Sequence, residues 1–347
     1  MVESKHGSIG GIAFLFNLGK FMGILFMNKP TYNIEYDARW EGSHGIGRFS
    51  REIKERINFE EIFVEAAGKS LAKKAFFSPG YRPPLFINKP FVFTIHDLNH
   101  IDLKFNSSLL KRLYYRIFIK KGVKECYRVL TVSRFSKSRI VEWFGCDPEK
   151  VIVVGNGVNE FFFRNRISIK RDKPFFLCVS NRKGHKNEKA LVRSFCISQL
   201  SHSHELWFTG SPSVELEGLI HEQGLTDSVG FTGMLSEDHL AAWYKGALAL
   251  VFPSLYEGFG LPVIESMASG TPVITSNTTS LPEVGGNAAL YVDPTSHEQI
   301  SDAMIRVSSD GLLRQKMREM GLKQASKFSW DTTARKVEDV LKEMVSR

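Results

Sequence analysis

Short apolar runs alternate with amphipathic stretches along most of the chain. NIEY, FVFTI, RVLTVS, KVIVVG, FFLCVS, ELWFTG, LALVF and PVITS are rich in β-branched and aromatic residues and are bounded by turn formers, so each predicts a strand. The stretches between them read as helices. Strand and helix taking turns predicts parallel sheets with crossover helices, and 347 residues suffice for about two such domains. The alternation breaks near residues 157–173, where the chain is charged, glycine-bearing and aperiodic, which predicts an interdomain linker. The expected organisation is an extension over 1–26, a first domain over 27–157, a linker over 158–172, a second domain over 173–329 and a closing amphipathic helix over 330–347. Open parallel sheets bind ligands beyond the carboxyl ends of their strands, so two facing domains point their sites at one cleft.

The segment FPSLYEGFGLPVIESMASGTPVI carries the sharpest chemical signal. Residues 247–252 predict a buried strand, Gly258 and Gly260 a tight turn, and Pro262 the first turn of a helix, followed by a second strand over 272–275. Backbone N–H groups and the positive end of the helix dipole at such a turn favour a phosphate. Glu257 and Glu265 flank it, and carboxylates accept vicinal hydroxyls as bidentate pairs. A sugar at one end and a ribose at the other match that arrangement. Glutamates near a helix N-terminus are also favoured by the dipole alone, by a few tenths of a kcal/mol. The whole string EGFGLPVIE between strand and helix outweighs that bland reading.

EGFGLPVIE resembles the E-x7-E signature of retaining glycosyltransferases of family 4. YDARW with GIGRF, FSPGYRPP, TIHDL, VLTVSRFSK, VIVVGNGV, SNRKGHKN and FTG follow in the family's order, from about Asn33 to about Pro294. The resemblance, to a mannosyltransferase-like bacterial branch, implies the GT-B fold, two Rossmann-like α/β domains facing a central cleft. It implies that Arg182 and Lys186 clamp the donor diphosphate, with a register one residue later placing Lys183 in the first role. Glu257 touches donor-sugar hydroxyls, Glu265 the ribose, and His96 stands near the reacting centre. The glycine loop with Gly45 and Gly47 closes over the phosphates, and Asn156, Gly258, Phe259, Gly260 and Leu261 line the donor. As a dinucleotide fingerprint the glycine loop fails, because G-x-G-x-x-G is absent. Ser133, Ser136 and Asn156 with Gly157 carry less weight, since Ser and Asn also cap helices and turns. No nucleophile stands out, so same-face substitution is expected over double displacement.

No D-x-D occurs, so no metal and no cofactor are expected, and cations and dipoles neutralise the leaving diphosphate. Cys126, Cys146, Cys178 and Cys196 form no CxxC pair, which points to a reducing compartment. The net charge of +9 concentrates in LLKRLYYRIFIKKGVKECYR, residues 109–128. This basic amphipathic stretch reads equally as an anionic-lipid dock or as a solvated helix face with its apolar side in the core. No nucleic-acid module accompanies it. SIGGIAFLFNLGKFMGILF is nearly long enough to span a bilayer, yet Asn17, Lys20 and its glycines weaken that reading. Translation from Met27 is the first alternative and an interfacial anchor the second, and a cleaved signal peptide fits least.

The expected function is transfer of a hexose, mannose or glucose, from a nucleotide diphosphate sugar to a lipid-linked or polysaccharide acceptor. The place is the cytoplasm, at the inner face of the membrane. A non-hydrolysing sugar-nucleotide epimerase and a catalytically silent binding subunit are the alternatives. Only about 30 residues separate GIGRF from FSPGY, fewer than the family usually has, so a strand-helix unit is expected to be missing from the first domain.

Overall fold

The computed structural model describes residues 34–40, 42, 45–59, 75–84, 89–103, 105 and 107–346. The expected extension over 1–26 lies outside them.

All eight expected strands are present. They are β1 (Ile34–Tyr36), β3 (Phe91–Thr94), β4 (Arg128–Thr131), β5 (Val151–Val153), β6 (Phe175–Cys178), β7 (Glu205–Phe208), β9 (Ala249–Phe252) and β10 (Val273–Ser276). Three more join them: β2 (Ala75–Ser78), β8 (Val229–Phe231) and β11 (Leu290–Val292). Every pairing between the described strands is parallel, and an isolated antiparallel bridge joins Gly210 to Gly233. The first sheet runs β1-β2-β3-β4-β5 and the second β11-β10-β9-β6-β7-β8. Read from its other edge, the second is the doubly wound order 3-2-1-4-5-6, whose direction reverses between β6 and β9. Two parallel sheets with helices on their faces, confronting each other across a cleft, are the GT-B architecture.

Period-two alternation explains why these strands are continuous apolar runs. In β6, Phe175 and Leu177 enter one core and Phe176 and Cys178 the core on the opposite face; β9 divides likewise into Leu250 and Phe252 against Ala249 and Val251. Both faces are buried, so these two strands are apolar throughout, while β10 buries Thr275 and Ser276 by hydrogen-bonding them to the Phe252 and Ser254 carbonyls.

The segment between the domains is less bare than its aperiodic sequence suggests. It holds a short helix, Glu160–Arg164, whose Phe162 is completely buried with Val158 in the core of the second domain. The chain then crosses back. Helix Trp330–Ser346 buries Trp330, Val337, Leu341 and Met344 against Phe49 and Ile53 of helix Gly45–Arg56, in the first domain's core. Each such burial contributes about 1.5–3 kcal/mol, so this helix fastens the last residues of the chain to the first sheet. Where the two crossing strands of chain meet, Gly157 is required: a Cβ there would stand 2.1 Å from the Trp330 nitrogen.

Candidate active site

The site grows from the reversal between β6 and β9, where helices leave to opposite sides and a crevice opens. The loop after β6 presents Lys186, and the loop after β9 presents Glu257. Lys186 Nζ donates to Glu257 Oε1 at 2.7 Å, and Ser254 Oγ donates to the same oxygen at 2.6 Å. Both side chains of the pair are largely but not wholly buried, at 13% and 12% exposed. The ammonium also lies 4.8 Å from the centroid of the Phe252 ring. Ser280 Oγ, bonded to the Glu257 and Phe259 carbonyls at 2.9 Å, fixes the loop. Between the two loops His185 is buried, and burial pushes its pKa down to about 4; the Lys186 charge adds to this and Glu257 opposes it. At neutral pH it is an uncharged spacer.

Gly260, at φ 104°, turns the chain into helix Leu261–Ala268, and a Cβ there would meet Leu281 Cδ2 at 2.7 Å. Pro262 sits in the first turn, as expected. Glu265 is 3% exposed, and its carboxylate is held from two sides. Tyr244 Oη donates to Oε2 at 3.0 Å, and Arg48 of the first domain donates to Oε1. Arg48 also reaches Glu237 Oε1 at 2.8 Å. Burial works against the guanidinium charge, yet Glu265 and Glu237 hold its pKa above the ordinary value. A carboxylate offers about four lone-pair sites, so two protein donors leave room for a hydroxyl. Sequence reasoning missed Arg48. The signal available was its place directly after the glycine loop in GIGRF, but its partner lies 217 positions away.

The first sheet contributes the opposite wall. His96 follows β3 and is buried, with Nε2 2.8 Å from the Pro79 carbonyl and its ring edge-on to Phe49 at 5.0 Å. A carbonyl only accepts, so Nε2 carries the proton in that contact. Ser136 Oγ donates to the carbonyls of both His96 (2.9 Å) and Gly258 (3.3 Å), one hydroxyl bridging the two domains. Gly258 is required by that approach, because a Cβ would fall 2.7 Å from the His96 oxygen. Asp97 was also missed, although it stands next to His96 in TIHDL. Burial raises its pKa, with bonds from the Asn99 amide and the Tyr81 hydroxyl opposing and the Glu257 charge adding to the rise.

The remaining expected residues divide. Gly45 begins its helix with its Cβ position 3.8 Å from Leu261 Cδ1, so the starts of helices Gly45–Arg56 and Leu261–Ala268 face each other. Gly47 lies so close to Gly42 that a Cβ would meet the Gly42 oxygen at 2.2 Å. Asn156 is 6% exposed, and its Oδ1 is buried with no hydrogen-bond partner among the described residues, which suits a polar ligand atom. Ser133 caps helix Arg134–Phe144 by accepting from the Ser136 amide. Phe259 is a core residue, 6% exposed and edge-on to Phe328 at 5.6 Å, so only its backbone faces the turn. Arg182 sits at φ 61°, and its guanidinium is committed to Glu188, the Thr209 carbonyl and the Ser211 carbonyl, beside the stacked rings of Phe208 and Phe231. Lys183 is exposed. Of the two expected diphosphate cations, Lys186 is the one placed beside Glu257.

The basic stretch obeys neither simple reading alone. Tyr115, Ile119 and Val123 are buried, whereas Leu109, Leu110, Leu113, Ile117 and Phe118 are exposed, Leu109 by 83% and Leu110 by 78%. Lys111, Arg112, Lys120 and Lys121 stand among them at the surface. Among the described residues no helix is long and apolar enough to cross a membrane.

Comparison with known proteins agrees with this architecture. Residues 159–324 match the family model of glycosyl transferases group 1, and residues 74–160 that of Glycosyltransferase Family 4. The O-antigen chain mannosyltransferase RfbU of Salmonella typhimurium is 34% identical over 239 residues, 65% of either chain. O-antigen chain mannosyltransferase B of Escherichia coli is 26% identical over 69% of this chain and 67% of its own. This chain thus matches just under two thirds of the length of RfbU. Among solved structures, Anabaena Alr3699/HepE superposes with a TM-score of 0.71 at 13% identity, covering 90% of this chain and 99% of that one. WaaG, a glycosyltransferase of lipopolysaccharide biosynthesis, gives 0.67 at 15% identity over 88% and 98%. The structural likenesses show the fold, and with the sequence matches they support a GT-B glycosyltransferase.

Proposed function

We propose that the chain is a retaining hexosyltransferase of surface-polysaccharide assembly. It moves mannose or glucose from a nucleotide diphosphate sugar to a lipid-linked or polysaccharide acceptor at the inner face of the membrane. The observation that carries this is the Lys186–Glu257 pair at the reversal of the second sheet, confronted by His96 and Asp97 from the first. The names of the O-antigen relatives favour mannose.

Breaking the bond from the anomeric carbon to the diphosphate builds negative charge on the β-phosphate. Lys186 and the backbone N–H groups of the glycine loop and the donor turn meet that charge where water is scarce, which is where such donors act most strongly. Glu257, fixed by Ser254, accepts from the sugar hydroxyls. The acceptor hydroxyl attacks from the face the diphosphate leaves, its proton passes to a β-phosphate oxygen, and the nucleoside diphosphate departs with the bonding electrons. Glu265 keeps lone pairs for a ribose hydroxyl while Arg48 and Tyr244 hold it. The exposed leucines and surrounding cations of residues 109–121 serve as the membrane-facing surface.

The test is an assay of the full chain with GDP-mannose and UDP-glucose against a lipid-linked saccharide, reading both product and anomeric configuration. Formation of an α-linked product from an α-linked donor is expected. A β-linked product would refute retention, and conversion of the donor without an acceptor would refute transfer.

A further inference from the structure

The second domain also carries a cleft at the end of its sheet remote from Lys186. It has a volume of about 490 Å³, and Lys245, Arg314, Arg318 and Gln315 line it together with Pro174 and Pro272. Pro174 immediately precedes β6 and Pro272 precedes β10, so this cleft opens at the amino ends of the strands. Lys186 and Glu257 follow the carboxyl ends of β6 and β9. A four-residue strand spans about 13 Å, which separates the two sites by the depth of the sheet.

The described residues lining the cleft include no carboxylate. Lys245 lies in the last turn of helix Glu237–Gly246, and its Nζ is 3.3 Å from the Ser269 carbonyl. Arg314 donates to the Val307 and Ser308 carbonyls at 2.7 and 2.9 Å, the last turn of helix His297–Ser309. Carbonyl contacts orient these cations without cancelling their net charge. Arg318 passes beside Gly270, its Cγ 3.5 Å from where a Cβ would be. Asp310, the acid next to the rim, accepts the Leu313 amide as the cap of helix Gly311–Ala325. Burial, and then the charges of Arg318 and Arg166, depress the Lys245 pKa, as expected where cations converge without a counter-ion.

We propose that this rear cleft is a second anion site, which binds a phosphate monoester or diphosphate group through Lys245, Arg314 and Arg318. The arginines supply planar forks suited to phosphate oxygens and Lys245 a point charge. Neither the donor site nor the membrane-facing leucines use these residues, so the proposal stands apart from the transferase reading.

Inorganic pyrophosphate is the first probe, titrated calorimetrically into full-length Lys186→Ala, in which the donor-site cation is gone. Binding is expected there, and adding Lys245→Ala with Arg318→Ala should weaken it by about tenfold or more while nucleoside diphosphate binding by the otherwise native chain stays unchanged. Vesicles containing phosphatidic acid form the second arm. Loss confined to pyrophosphate assigns a soluble phosphate ligand, and loss of vesicle binding assigns a lipid head group. Equal binding with and without the two substitutions in both arms would overturn the site. Arg318→Gln alone, at an exposed position, repeats the test if the double variant unfolds.

Discussion

The two sheets are built from the same unit and differ in one respect, the direction in which strands are added. In the second, addition reverses between β6 and β9, and the two loops beside the reversal carry Lys186 and Glu257. In the first, the described strands follow each other in chain order from β1 to β5, with no reversal. Among the described strands, a crevice at the carboxyl ends therefore arises from topology in the second sheet and not in the first. The first domain contributes instead by reaching across: Arg48 to Glu265, Ser136 to Gly258, and His96 against the same turn. On the proposed reading, the second domain would hold the donor and the first would close over it.

If that division is right, the largest effect comes from the reversal itself. Lys186→Ala should lower turnover by about 100-fold to 1000-fold, the usual cost of one preorganised donor to a developing anion, and should also lower the thermal transition, because it leaves the largely buried Glu257 with Ser254 alone. Wild-type turnover in a steady-state assay would sink the assignment. Glu257→Ala belongs to the same test, because it strips the ammonium of its partner and the sugar of its acceptor.

Arg48→Ala separates closure from chemistry. It leaves Glu265 buried with Tyr244 alone, and removal of one partner from a buried pair costs about 3 kcal/mol. Urea unfolding should show that loss, and nucleotide affinity should fall with it. A variant as stable as the parent would mean that the two domains part without consequence for Glu265.

His185 provides a pH test of the second sheet. Its folded pKa of about 4 lies below the ordinary 6.5, so the folded state resists its protonation. Stability is full above about pH 6.5 and falls as the pH drops toward 4, by at most about 3 kcal/mol at 1.36 kcal/mol per pH unit. His185→Gln should flatten the unfolding free energy in that window. A slope unchanged by the substitution would place the acid sensitivity on other groups.

What the sequence made legible follows the same physics. Apolar runs of four residues buried on both faces announced β6 and β9. The three-residue β8, half exposed and containing Gly230, and the short β11 fell below any periodicity. EGFGLPVIE correctly located the turn, because strand, glycine and proline act locally. The partners of its glutamates were not local: Arg48 lies 217 positions from Glu265 and Lys186 lies 71 from Glu257. Phe259 read as part of the donor turn, yet an aromatic ring beside a sheet goes to the core. Arg182 read as a free cation, and only the fold reveals the acceptors that occupy it.

The smallest effect on stability should come from the outer surface of the first domain. Leu109 and Leu110 are 83% and 78% exposed, so replacing both by Ser removes almost no buried area and should shift the unfolding free energy by less than about 0.5 kcal/mol. Neither leucine belongs to the proposed donor site, so nucleotide affinity should not change. Flotation with vesicles rich in phosphatidylglycerol should nevertheless fall, since two apolar side chains no longer enter the interface, and high salt should weaken what remains by screening Lys111, Arg112, Lys120 and Lys121. Unchanged flotation would return the exposed leucines to the status of a solvated helix face. Reduced flotation with full donor binding would show that the first domain supplies the membrane side of the reaction.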